Sequence, residues 1–244
     1  MKRSGFTLLL VFFLTLAAFS QKDPPAAVVS TVAADNAVAL ELAKNAVVAH
    51  GGDKFKQMKS VVLKGTVDVN VGNQIQTGSF STAISGNMYY FEISLPTQAV
   101  KQIFNGEQLY ASVPQFMIPP PTSVGFEVLA RVGDAGYLVT KHGDDKKKGK
   151  GFRITTPDGF YTDFTVDEKS GQINGFQSSF LLPSEITVTT SAEMSSFQTV
   201  DGVLLPKKYS QRFDFGAMMA YATFQIKDTK VNPPIDATAF AIPK

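Results

Sequence analysis

From Val61 the chain alternates between apolar and polar positions. Val61, Leu63, Val67, Val69 and Val71 interleave with Val62, Lys64, Thr66, Asp68 and Asn70, a period of two that predicts a strand with one buried face. The pattern returns in Tyr89, Phe91, Ile93 and Leu95, in Phe160, Thr162, Phe164 and Val166, and in Tyr209, Phe213 and Phe215. Turn signals stand between the runs: Gly72-Asn73, Gly86-Asn87, Asn105-Gly106, Asp158-Gly159 and Asp201-Gly202. Such short, glycine-bearing connections predict antiparallel hairpins, and the chain has room for about eleven strands.

Two stretches follow a helical period instead. Val38, Leu42 and Ala46, flanked by Ala39, Ala43 and Val47, predict a helix that begins near Asp35, a good N-cap, and ends at Gly51-Gly52. His50, in its last turn, is placed to meet the negative end of the helix dipole. A central helix is expected from Thr122 or Ser123 to about Val132, carrying Val124, Val128, Leu129 and Val132 with Phe126 on a neighbouring face. Pro114, Pro119, Pro120 and Pro121 brace its start, so it reads either as a flap over the sheet or as an ordinary crossover packed on the core. Neither internal repeats nor a second composition zone divide this region, so residues 35–244 form one domain. The expected fold is mainly β (α+β): a single curved antiparallel sheet forming an unclosed β-barrel, plugged by the N-terminal and central helices. A sheet with one apolar face must cover it, and only these two helices are available to do so.

The first segment follows neither period. Lys2 and Arg3 precede an apolar run from Phe6 to Phe19, and Ala18-Phe19-Ser20 sets small residues at −3 and −1 of a cut before Gln21. This is the layout of a secretory signal peptide over residues 1–20. The run, at about 14 residues, is short for a membrane span of about 20, although an uncleaved anchor is the rival reading. Residues 21–34, rich in proline and alanine, read as a linker.

Composition then narrows the chemistry. The 244 residues contain no cysteine and two histidines, so a disulfide framework, a thiolate metal site and a cysteine nucleophile are excluded. Without Lys2 and Arg3 the chain carries 21 basic and 21 acidic residues, weak ground for a nucleic-acid partner. Lys146, Lys147, Lys148 and Lys150 sit beside Asp144-Asp145 in a hairpin tip and read as solvated, with anionic head groups as the alternative partner. Neither Gly-x-Ser-x-Gly nor His-Glu-x-x-His occurs, and Gly149-Lys150-Gly151 lacks the third glycine of a nucleotide loop. No catalytic residue, cofactor or metal is expected, and the chain does not read as an enzyme.

Two stretches carry a resemblance. Ala39–Gly65, ALELAKNAVVAHGGDKFKQMKSVVLKG, in which a helix ending in Gly-Gly precedes the first strand, is similar to the opening of periplasmic outer-membrane lipoprotein-sorting proteins, the LolA/LolB-like superfamily. Val200-Asp201-Gly202-Val203-Leu204-Leu205-Pro206 resembles that group's turn before its penultimate hairpin, and Phe224–Pro243 its final strand and tail. The similarity spans roughly 39–243 through the order of elements. It implies an unclosed barrel holding lipid or acyl chains on its concave side. The best-known carriers of that group place an arginine on a strand to hold the lid; here no arginine occurs between Arg3 and Arg131, so that lid switch is not implied.

The reading is a monomeric periplasmic carrier or chaperone for lipidated or lipid-like cargo, with a membrane protein as transient donor or acceptor. A non-transporting sensor or protein-interaction domain on the same fold is the alternative. Candidate cargo-lining residues are Val61, Leu63, Val67 and Val69, then Tyr89, Phe91, Ile93 and Leu95, then Phe160 and Phe164, with Phe126 and Leu129 facing inward from a gating helix.

Overall fold

The computed structural model describes residues 26–71, 74–114, 118, 121–123, 125–142, 150–181, 187–216 and 218–243. The expected export signal at 1–20 and the lysine run at 146–148 lie outside the described residues. Helix α1 spans Ala26–Ala49 and a single turn, α2, spans Asp53–Lys56. Five strands follow: β1 (Ser60–Val71), β2 (Gln74–Ser85), β3 (Met88–Ser94), β4 (Ala99–Phe104) and β5 (Leu109–Ala111). A crossing segment holds a 3-10 turn at Pro121–Ser123 and the one-turn helix α3, Phe126–Leu129. Seven more strands complete the chain: β6 (Leu138–Lys141), β7 (Gly151–Thr155), β8 (Tyr161–Val166), β9 (Ile173–Leu181), β10 (Thr187–Val200), β11 (Val203–Asp214) and β12 (Met219–Val231).

All twelve strands form one antiparallel sheet in the order β5-β4-β3-β2-β1-β12-β11-β10-β9-β8-β7-β6. Every neighbouring pair but one is consecutive in sequence. The exception is β1 with β12, which pair from Val61↔Val231 to Val71↔Ala220 and join the two ends of the meander at its middle. The free edges are therefore β5 and β6, which are consecutive in sequence yet unpaired. The sheet stops short of closing at that gap, and the described residues of the crossing segment reach from Gln102 of β4, through Ile118, to Phe176 of β9, through Gly125. Both edge strands are short, three and four residues, which limits the unpaired backbone they expose.

The Gly72-Asn73 signal lies outside the described residues; the signals at Gly86-Asn87, Asn105-Gly106, Asp158-Gly159 and Asp201-Gly202 correspond to turns between consecutive strands. Asp201 and Gly202 both have positive φ, 53° and 84°, the pair a two-residue type I′ turn requires. Asn105 Oδ1 accepts from the Glu107 and Gln108 amides at 2.9 and 2.8 Å, tightening the tip between β4 and β5.

The helices differ from expectation in three respects. Helix α1 starts at Ala26, not near Asp35, so the alanine-rich stretch 26–34 is helical rather than linker-like; Ala26, Ala27, Ala33 and Ala34 bring the highest helix propensity of any residue. Its buried stripe is Ala39, Ala43, Ala46, Val47 and His50, while Val38 is 70% exposed. Small side chains let the helix lie close on β6 and β7, and that contact sets the rotation. The central helix is also far shorter than expected: Gly125, at φ 65°, and Gly133, at φ 88°, leave α3 a single turn.

Three clusters fill the fold. Under α1, Phe152 and Phe164 stack at 5.1 Å with Ile154, Val166, Ile173, Val128 and Leu129. On the same concave face, Val67, Phe80, Phe91, Ile93, Phe224 and Ile226 make a second cluster. The C-terminal tail packs Phe240 on Ala83 and Ile103 of the convex face, flanked by Ile235 and Ile242.

Candidate functional site: an apolar cavity under the crossing segment

Between the concave face and the crossing segment lies a cavity of about 170 Å³. Its sheet wall comes from Val61 and Leu63 of β1, Thr82 and Ile84 of β2, Phe91 of β3, Met194 of β10, Leu205, Tyr209, Gln211 and Phe213 of β11, and Ile226 of β12. Its cover is Ile118, Pro121, Gly125, Phe126 and Glu127. The wall is apolar because inward positions recur every second residue on each strand, and the antiparallel register lines them up: Leu63 opposite Thr82, Thr82 opposite Phe91.

The cover is held at two points. Gln102, 2% exposed, faces inward from β4. Its Nε2 donates to the Ile118 carbonyl and its Oε1 accepts from the Ile118 amide, both at 3.0 Å, so the side chain stands in for a strand partner. The same Nε2 also donates to Tyr89 Oη. At the other end Gly125 sits against Phe176, where an added Cβ would come within 3.0 Å of the ring. Phe126 meets His50 with ring centroids 4.9 Å apart. Gln102 is absent from the candidates drawn from the sequence. The signal for it was a lone amide in the otherwise apolar column Val100, Gln102, Phe104.

Four of the expected cargo-lining residues, Val61, Leu63, Phe91 and Phe126, line the cavity. The others lie elsewhere. Val67 and Ile93 are buried in the second cluster, with Val69 and Leu95 half-buried against it. Tyr89 is fully buried and bonded to Gln102. Phe164 and Leu129 are fully buried in the cluster under α1, so Leu129 is core and not the inner face of a gate. Phe160 lies just before β8, half-buried in the turn, where its carbonyl accepts from the Thr156 amide at 2.7 Å.

Electrostatically the cavity is sparse. Among the described lining residues Glu127 is the one acid, and burial pushes its carboxyl up to about 7 against the weaker pull of Arg131. Burial also raises the Tyr209 phenol, whose ring stacks on Phe224 at 4.7 Å. His50 serves structure. Its Nδ1–H donates to the Leu204 carbonyl at 2.8 Å and its Nε2 accepts from the Ile173 amide at 3.0 Å. A ring nitrogen that accepts is unprotonated, and burial lowers the His50 pKa accordingly. The expected contact of a charged His50 with the helix dipole is thus replaced by a neutral pin between α1, β9 and β11. His142 sits apart, 3.1 Å from Asp163, which Arg153 also holds bidentately at 2.6 and 2.8 Å. Among the described residues no group of three His, Asp or Glu side chains is placed to hold a metal, and no helix is long and apolar enough to cross a membrane.

No family model matches the chain, and no curated protein matches its sequence. Solved structures do resemble it in fold. A LolA-superfamily protein from Nitrosomonas europaea superposes with a TM-score of 0.50 at 11% identity, over 84% of this chain and 97% of that one. A DUF1329-family protein from Desulfovibrio piger gives 0.48 at 10% identity, over 85% and 97%. The chain has a LolA-like fold: a mainly β, unclosed barrel with few helices.

Proposed function

We propose that this protein is an exported carrier that holds a lipid-like apolar chain in the cavity beneath the crossing segment and works in the periplasm. One observation carries the reading. The concave face is not filled where the crossing segment covers it, and the space left is walled almost wholly by apolar side chains. A cavity of this kind, about 170 Å³, compares with the roughly 150 Å³ space that admits benzene. It suits one acyl segment rather than several long chains. Burial of such a segment is favourable by about 0.8 kcal/mol per CH₂, and a preformed space avoids the cost of opening one. The LolA-like fold and the signal-like residues 1–20 support the periplasmic setting, with a membrane protein as donor or acceptor.

Native mass spectrometry of protein purified from a periplasmic extract tests this. A bound amphiphile of one chain, lost on delipidation and regained on adding lipid, is the expected result. An empty protein in stoichiometric complex with another polypeptide would overturn it in favour of a sensor or interaction domain.

A further inference from the structure

We propose that the cavity selects amphiphiles whose head group donates hydrogen bonds, a protonated amine above all, over fatty carboxylates; the inference rests on reading the cavity as a cargo site. Two polar groups stand on its wall, the Glu127 carboxylate from α3 and the Tyr209 hydroxyl from β11. Neither side chain has a hydrogen-bond partner among the described residues. Arg131, two residues beyond α3, pulls weakly on Glu127 but is ion-paired with Asp134 at 2.8 Å. The remaining polar wall groups are engaged with the protein. Thr82 Oγ1 donates to the Tyr90 carbonyl at 2.9 Å, and Gln211 Nε2 donates to Thr190 Oγ1 at 2.9 Å.

An unpartnered carboxylate on an apolar wall is costly, and a ligand that brings donors or a positive charge relieves that cost. An anionic head group brings the opposite: no lysine, arginine or histidine is among the described lining residues to receive it. Acyl length alone does not discriminate between the two. The head group does, because Glu127 on the cover is the acidic side chain among the described lining residues.

Calorimetric titration of the exported chain with dodecylammonium, dodecanol and dodecanoate, each below its micelle concentration, tests the inference. Dodecylammonium should bind at least about ten-fold tighter than dodecanoate, as one charge-assisted hydrogen bond allows. Glu127→Gln should compress that ratio to under about three-fold and leave dodecanol within about two-fold. A second measurement needs no variant. The wild-type ratio should shrink between about pH 8.5 and about pH 6, as Glu127 takes up its proton while both probes keep their charge. The charged or titratable neighbours in that comparison are Arg131, Asp134, Tyr209 and the neutral His50 beside Phe126. Dodecanoate binding as tightly as dodecylammonium, or a ratio unmoved by both the substitution and the pH, overturns the inference and leaves the carrier reading standing. Failure of all three probes to bind, dodecanol included, sinks the carrier reading and this inference with it.

Discussion

The two halves of the concave face begin from the same strand pattern and end differently. On β6–β9 the inward column Phe152, Ile154, Phe164 and Val166 is covered by a continuous helix whose contact residues are Ala39, Ala43 and Ala46. Small side chains let the helix backbone approach, and the inward column beneath it is buried. On β1–β3, β11 and β12 the inward column is no less apolar, but its cover is a proline-braced segment hung from Gln102 and Gly125. Its described residues hold only the 3-10 turn at Pro121–Ser123 and the single turn of α3, bounded by Gly125 and Gly133 at positive φ, and a space remains beneath them. Apolar alternation specifies a buried face, then, and the shape of the cover decides whether that face becomes core or cavity.

Substitutions on the two sides should therefore separate cleanly. Leu129→Asp has the largest expected effect. It places a charge in the filled half and should cost at least about 4 kcal/mol, adding the loss of a buried leucine to an unpaired charge. Urea unfolding reads this directly; a native Leu129→Asp protein that has lost only ligand binding would make α3 a gate and erase the contrast. His50→Ala should cost about 2–4 kcal/mol, because the Leu204 carbonyl and Ile173 amide are left buried without partners. Because burial lowers the His50 pKa from 6.5, the unfolded chain takes up the proton first. The stability this residue contributes is full above pH 6.5 and falls as the pH drops below it. The wild-type midpoint minus that of His50→Ala should fall as the pH drops through that window; Glu127, raised to about 7, contributes an opposite slope that is common to both proteins and cancels in the difference.

Smaller effects sharpen the comparison. Ala43→Leu should destabilise by about 1–3 kcal/mol through overpacking against the filled half. Met194→Phe, adding volume on the cavity side, should change stability by less than about 1.5 kcal/mol while abolishing binding of a fluorescent acyl probe. Equal destabilisation by the two would mean that the cavity half is packed like the other. Gln102→Leu should cost about 1–2 kcal/mol, since the amide and carbonyl of Ile118 lose their partner. Its diagnostic result is faster association of the acyl probe in stopped flow, as the cover is released at one end. Unchanged association would show that Gln102 does not restrain the cover.

Period-two alternation, with glycine or asparagine at the turns, located the strands, twelve where about eleven were expected, and the sheet as an unclosed barrel was legible with them. The Gly51-Gly52 stop was legible too. Gly51 adopts φ 121°, and an added Cβ would lie 2.6 Å from the Gly202 carbonyl oxygen; only glycine suits that close approach. Helix limits were less legible. The start of α1 follows alanine propensity, which a proline-flanked context disguised as a linker. The start of the central helix depends on Gly125, its N-cap, which takes a left-handed conformation close against the Phe176 ring.

By itself the sequence determined which positions point inward, where the chain turns, and that two covers of different character lie over one antiparallel sheet. These are local properties: side-chain period, glycine conformation, proline geometry. Only the tertiary structure decided that β1 pairs with β12, leaving β5 and β6 as the open edges. It also assigned Phe164 and Leu129 to the packed half, left Leu63 and Phe91 on a cavity wall, and recruited Gln102 to hold the cover. Alternation marks a residue as buried but carries no record of what buries it. That depends on contacts between elements as far apart in sequence as Gln102 and Ile118, or His50 and Ile173, where register and cover shape set the outcome.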